Sequence, residues 1–200
     1  MAMVRAVLLA VALVAWSVGA RAGPLFDAAA QGDLALVERL LASGSPVDEP
    51  GRNRETPLMA AALGRLLEVA ALLVDRGADV MARNRGGLTP LHAAAYAGSA
   101  EIAALLLDHG AALEDRANKA GVTPLLVAVE QGGLAVTELL VARGADIEVL
   151  DDDGYSPLTQ AWSRHHPEVV RLLKAHGAVC QSVEVLGGES YRESCLKAGS

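Results

Sequence analysis

Few side chains in this sequence have the type and spacing for chemistry. Its two cysteines, Cys180 and Cys195, lie within the last 21 of 200 residues. His165, His166 and His176 stand nearby, and three aspartates, Asp151 to Asp153, precede Gly154. Three histidines raise the question of a metal, but their spacing matches no common zinc pattern, and His165 and His166 read as an exposed loop pair. The aspartates resemble a calcium loop only superficially. Such a loop needs alternating acids before the glycine and a glutamate six residues beyond it, and Val149 and Gln160 occupy two of those positions. A tight reversal at Asp153-Gly154 is the simpler reading. Ser99 and Ser163 lie in no nucleophile-elbow pattern, and no glycine-rich loop suits phosphate. The sequence therefore reads as non-enzymatic, with no cofactor and no metal.

The elements that position these residues begin at the N-terminus. Arg5 precedes an apolar run, residues 6–18, which is followed by Ala20-Arg21-Ala22. A run of 13 residues falls short of the ~20 that span a bilayer, and the small residues offer a cleavage point before Gly23. Residues 1–22 read as a secretory signal peptide, with no membrane insertion after cleavage. Removing them takes two arginines and no acid, so a formal charge of −7 becomes −9. No basic stripe suited to a phosphate backbone is present, which argues against nucleic acid as a partner. Hydrophobic residues make up 52% and aromatics only 3%, so the core must be built from closely packed aliphatic helices.

Self-similarity organises the remainder. TPLMAAA begins at Thr56, TPLHAAA at Thr89, TPLLVAV at Thr123 and SPLTQAW at Ser156, at intervals of 33, 34 and 33 residues, and Pro24 lies a further 33 before Pro57. Twenty residues after each of these prolines stands a glycine: Gly44, Gly77, Gly110, Gly144 and Gly177. Threonine or serine before proline is a helix start, because the hydroxyl accepts from a free backbone N–H and proline has none to satisfy. Paired alanines let a short first helix approach its neighbours closely. A second helix follows with apolar residues such as Ile102, Leu105 and Leu106, and the glycine stops it. The intervening polar segments are turns.

These residues resemble the ankyrin repeat, known by Thr-Pro-Leu-His followed by alanines. The resemblance covers Pro24 to about Val183, and the chain reads as a bacterial exported, periplasmic member. It implies an all-α solenoid of about five copies, each a turn and two antiparallel helices, over residues 23–50, 51–83, 84–116, 117–150 and 151–183. A capping tail, residues 184–200, follows. Only the third copy keeps the full motif. The histidine position is elsewhere Phe26, Met59, Leu126 or Thr159, and Arg65 and His165 replace the glycine eight residues after proline. These departures should weaken individual caps. The resemblance gives His92 a hydrogen-bonding role that orders the helix start.

Such arrays bind partners through turn tips and first-helix faces on a concave surface. Positions that vary between copies are the candidates: Arg52, Asn53, Glu55, Arg85, Leu88, Lys119, Val122, Asp152, Asp153 and Tyr155 on the turns. At the first-helix ends they are Leu63, Tyr96, Glu130, Gln131, Ser163 and Arg164. The turns run from arginines to aspartates, and tyrosine and arginine are favoured interface anchors. The expected function is binding of a protein partner in the cell envelope by a monomeric module. A secreted effector or an enzyme-inhibiting immunity-type protein is the alternative.

Cys180 occupies the register position of Val47, Val80, Leu113 and Ile147, at the uncovered end of the last copy. In an oxidising compartment an even pair favours a disulfide, with a reactive redox pair as the alternative. A short helix carrying Tyr191 and Cys195 four residues apart would then fold back as a lid, and Trp162 would spread over the same end.

Overall fold

The computed structural model describes residues 23–182 and 189–197; the expected leader and the side chain of Tyr191 lie outside the described residues. Among these residues there are eleven α-helices and no strand. The first ten form five pairs: α1 (Pro24–Gln31) with α2 (Leu34–Ala42), α3 (Pro57–Leu63) with α4 (Leu67–Asp75), α5 (Pro90–Ala97) with α6 (Ala100–Asp108), α7 (Pro124–Glu130) with α8 (Leu134–Ala142), and α9 (Pro157–Ser163) with α10 (Pro167–Ala175). A final helix, α11 (Glu189–Lys197), follows. First helices pack on first helices and second on second along the array, so the fold is an all-α solenoid.

Each first helix begins as its residue types dictate. The hydroxyls of Thr56, Thr123 and Ser156, each directly before a proline that needs no partner, accept from the amides of Met59, Leu126 and Thr159 at 3.3 to 3.4 Å. Gly23 has no such hydroxyl, and the Leu25 amide donates instead to Glu49 Oε2 at 2.9 Å. The leucine after each proline is fully buried, and so are Ala61, Ala62, Ala94 and Ala95. Where Ala62 and Ala95 are sealed by the next copy, Trp162 is only half-buried, so its ring covers the open end.

A second, polar ladder joins the pairs. The Asp79 amide donates to the Asp48 carboxylate at 3.2 Å, Asp146 to Glu114 Oε1 at 2.9 Å and Val179 to Glu148 Oε1 at 2.9 Å, while Ala112 donates to Met81 Sδ at 3.3 Å. Each acceptor stands 24 residues after its repeat proline and each donor 22 after the next one. Both ends of the ladder depart from it in a way that leaves no group idle. Pro46 fills the donor position of the first pair and has no N–H. Gln181, the last acceptor, turns back to take the Ser156 amide at 2.9 Å and to donate to the Gly154 carbonyl at 2.8 Å.

The C-terminal helix is pinned to the fifth pair. Cys180 and Cys195 form a disulfide across a Cα separation of 6.2 Å, well within the range such bonds span. Cys195 is fully buried. The Lys174 ammonium of α10 donates to the carbonyls of Cys195 and Leu196, which neutralises orphan acceptors in the last turn of α11. His166 departs from the expected exposed pair: it is half-buried, with Nε2 3.2 Å from the Glu130 carbonyl of the preceding copy.

Two predictions concern stability. Gly32, Gly98 and Gly132 take left-handed φ angles of 70 to 73° at the turn between paired helices, and Arg65 and His165 are forced to 57° and 62° there. A side chain in that region costs ~1–2 kcal/mol, part of which glycine gives back as chain entropy. Arg65→Gly should therefore raise the unfolding free energy in urea by ~0.5–1 kcal/mol. The disulfide closes a loop of 15 residues, worth ~3 kcal/mol by the chain-entropy relation. In a nearest-neighbour array its loss should act locally. Cys180→Ser should speed hydrogen exchange in α9, α10 and α11 while leaving α3 to α6 protected as before.

Candidate functional site

Three of the turn tips are built by a device that recurs six residues before Pro90, Pro124 and Pro157. Asn84 Oδ1 accepts from the amides of Gly86 and Leu88 at 2.8 and 3.0 Å, Asn118 Oδ1 from Ala120 and Val122 at 3.2 Å, and Asp151 Oδ1 from Asp153 and Tyr155 at 3.0 and 2.8 Å. A short side chain thus closes each tip on its own backbone. Adjacent tips are then tied together. The Arg85 amide donates to the Asn53 carbonyl at 2.7 Å and the Lys119 amide to the Gly86 carbonyl at 2.8 Å. This leaves the side chains of Arg85 and Lys119 exposed on a fixed backbone.

His92 joins helix start to neighbouring turn. Its Nδ1 lies 2.8 Å from Thr89 Oγ1 and 3.3 Å from the Thr89 amide, and its Nε2 lies 3.0 Å from the Val122 carbonyl of the next copy. An amide donor on one side and a carbonyl on the other require the neutral tautomer protonated on Nε2. Burial holds the imidazole below its ordinary value, and the Val122 carbonyl and the Asp115 charge oppose it only in part. Asp115 is itself buried against Arg83. Burial pushes its carboxyl up, but the hydrogen bonds and charge of Arg83 prevail and hold it below the usual carboxylate range. Arg83 also donates to the carbonyls of Gly87 and Ala117 at 2.9 and 3.2 Å, so one guanidinium fastens the second tip to the third.

Between α3 and α5 these elements enclose a concavity with a cavity volume of about 20 Å³. Met59, Leu63, Leu88, Ala93, Tyr96 and Val127 supply apolar walls, and Asn84, Thr89, His92 and Glu55 supply polar ones. A water needs about 10–15 Å³, so the space admits the tip of one side chain. Glu55 is the anomaly of the site. It is only 8% exposed, its carboxyl has no hydrogen-bond or ion-pair partner among the described residues, and burial raises its pKa to about 7. Among the described residues no three His, Cys, Asp or Glu side chains converge as metal ligands would.

Residues 25–117 and 112–184 match the family model for ankyrin repeats in three copies. The chain belongs to the ankyrin-repeat family. No curated protein matches the sequence. Ankyrin repeats generally mediate protein–protein interaction, and the family is typically a non-enzymatic one.

The concavity brings together four of the residues expected to contact a partner: Glu55, Leu63, Leu88 and Tyr96. Two of these are not the exposed turn residues expected. Leu88 is 6% exposed and Glu55 8%, and Val122 is likewise buried at 3%, because the residue two before Pro57, Pro90 and Pro124 points under the tip into the array. Arg85, Lys119, Gln131, Asp152, Asp153 and Ser163 are exposed, and Arg52, Asn53, Leu63, Tyr96 and Tyr155 are half-buried. Glu130 and Arg164 pair with each other across adjacent ankyrin copies, and Asp152 lies 3.7 Å from Arg116. These pairs use on the scaffold charges that were expected to face a partner. Met59, Asn84, His92 and Val127 were missed as lining residues. Their signal is the register: the positions equivalent to Glu55 are Leu88, Val122 and Tyr155, so an acid there is out of place.

The Glu55 carboxyl also gives a pH signature. A group with its folded pKa raised from 4.5 to about 7 favours folding in its protonated form. That contribution is complete below pH ~4.5 and is lost as pH rises through about 7. Glu55→Gln should therefore match the parent's stability near pH 4.5 and exceed it by ~2–3 kcal/mol above pH 8. Urea unfolding across that range measures it.

Proposed function

We propose that this ankyrin chain is a non-enzymatic module of the bacterial cell envelope that binds one protein partner on its concave face. The partner rests on the exposed side chains of the tied turn tips and on the ends of the first helices. The reading is carried by one observation: a buried, unpartnered carboxyl and an aromatic ring share an apolar concavity on the face where neighbouring copies meet. Scaffold stability does not account for that arrangement, since an unpaired buried carboxyl opposes folding once ionised.

The envelope location rests on the leader-like residues 1–22 and agrees with the disulfide, a bond that persists in oxidising compartments. The protein acts there as a monomer. Its net negative charge and the absence of a basic stripe leave nucleic acid without a docking surface.

Capture of a partner from an envelope fraction is the test. The intact protein should retain it, and a variant carrying Arg85→Ala, Tyr96→Ala and Tyr155→Ala should retain at least about tenfold less, since anchors of these types each contribute ~1–2 kcal/mol or more. Undiminished capture by that variant would show that the concave face is not the binding surface. Cell fractionation locates the protein directly.

A further inference from the structure

We infer that the concavity between the second and third ankyrin copies is a lysine pocket, which takes the ammonium tip of a partner's lysine side chain onto the Glu55 carboxyl. The inference rests on the reading of the concave face as the binding surface and names the chemistry it recognises.

Four observations carry it. Glu55 is more than nine-tenths buried, lines the concavity, and has no hydrogen-bond or ion-pair partner among the described residues. The remaining wall is chiefly apolar, with Met59, Leu63 and Val127 placed to flank an alkyl stem and the ring of Tyr96 beside them. The cavity volume of about 20 Å³ admits a group the size of a water, which an ammonium is and a planar guanidinium is not. The other polar groups are already occupied: both ring nitrogens of His92 are engaged with Thr89 and Val122, and Asn84 is closed on its own turn.

Charge decides among occupants. An anion would place like charge against the carboxyl, and a purely apolar tip would bury it further with nothing to bond. A long alkyl chain ending in an ammonium satisfies both kinds of wall at once. The titratable groups lining the concavity are Glu55, His92 and Tyr96. His92 is neutral; besides Glu55, the charged side chains on the turns before α3 and α5 are Asp48, Glu49, Arg52, Arg54, Arg76, Asp79, Arg83 and Arg85, and those on the turn before α7 are Glu114, Asp115, Arg116 and Lys119. Arg54 and Arg85 are exposed to solvent and Arg83 is paired with Asp115, and burial is the cause of the displaced titration of Glu55. An ammonium binds the ionised carboxyl, so binding strengthens as pH rises through about 7 and releases a proton.

The experiment uses the full chain without residues 1–22, labelled with carbon-13 at the glutamate carboxyls, and n-butylammonium as the probe. NMR titrations with the probe should find the Glu55 resonance responding, binding at least about tenfold tighter above pH 8 than below pH 5.5, and a Glu55 midpoint lowered by about one pH unit or more. The uncharged isostere n-butanol should leave that midpoint in place, and Glu55→Gln should abolish the pH dependence while other amide shifts are retained. Binding that is independent of pH or unchanged in Glu55→Gln would overturn the pocket. Tighter binding of n-butylguanidinium than of n-butylammonium would overturn the lysine assignment. Because the probe needs no protein partner, these outcomes are separate from loss or persistence of partner capture by the concave-face variant, which judges the underlying reading.

Discussion

No helix pair in this chain can bury its own apolar surface, and this constraint governs the rest of the structure. Each first helix presents leucine and alanine on both flanks, so it needs a neighbour on either side. Small residues are the means: Ala61, Ala62, Ala94 and Ala95 let the backbones approach closely enough that the leucines behind the prolines become fully buried. The stack is then continuous, and its concave face is a surface produced by the repetition.

Stacking in turn imposes a demand on polar groups, because every seam between copies carries backbone donors that must find acceptors. Side chains spaced about one period apart meet that demand. Acceptors at Asp48, Met81, Glu114 and Glu148 serve the next copy, His92 bridges to Val122, and Arg83 donates to the Ala117 carbonyl of the following tip and to Asp115. Against this background the carboxyl of Glu55 stands out as a buried ionisable group without a hydrogen-bond or ion-pair partner among the described residues. A group that opposes folding when ionised and is held at a concave opening is where binding energy can be recovered from a partner.

The two ends show the same constraint from the other side. At the first pair, Pro46 removes the donor that a preceding copy would have accepted. At the fifth pair Gln181 folds back on Ser156 and Gly154, Trp162 covers the flank that alanine leaves to a neighbour elsewhere, and the disulfide ties Cys195 of α11 to Cys180. The cysteines therefore act as a staple for an end that repetition alone leaves open.

Much of this was legible in the sequence. The 33-residue period, the Thr-Pro helix starts and the glycines that end second helices follow from local rules that hold wherever the chain lies in space, and the pairing of Cys180 with Cys195 follows from their even number. The concave face was legible as a set of variable positions, but not which of them reach solvent. Glu55 and Leu88 vary as surface residues do, yet the tip folds them inward. Glu130 and Arg164 look like free charges in sequence, yet they face one another across a seam. Local residue types determined the helices, turns and register of this protein. Tertiary structure alone decided burial, partnership and the titration of Glu55, because these depend on the walls that α5 and α7 bring to α3.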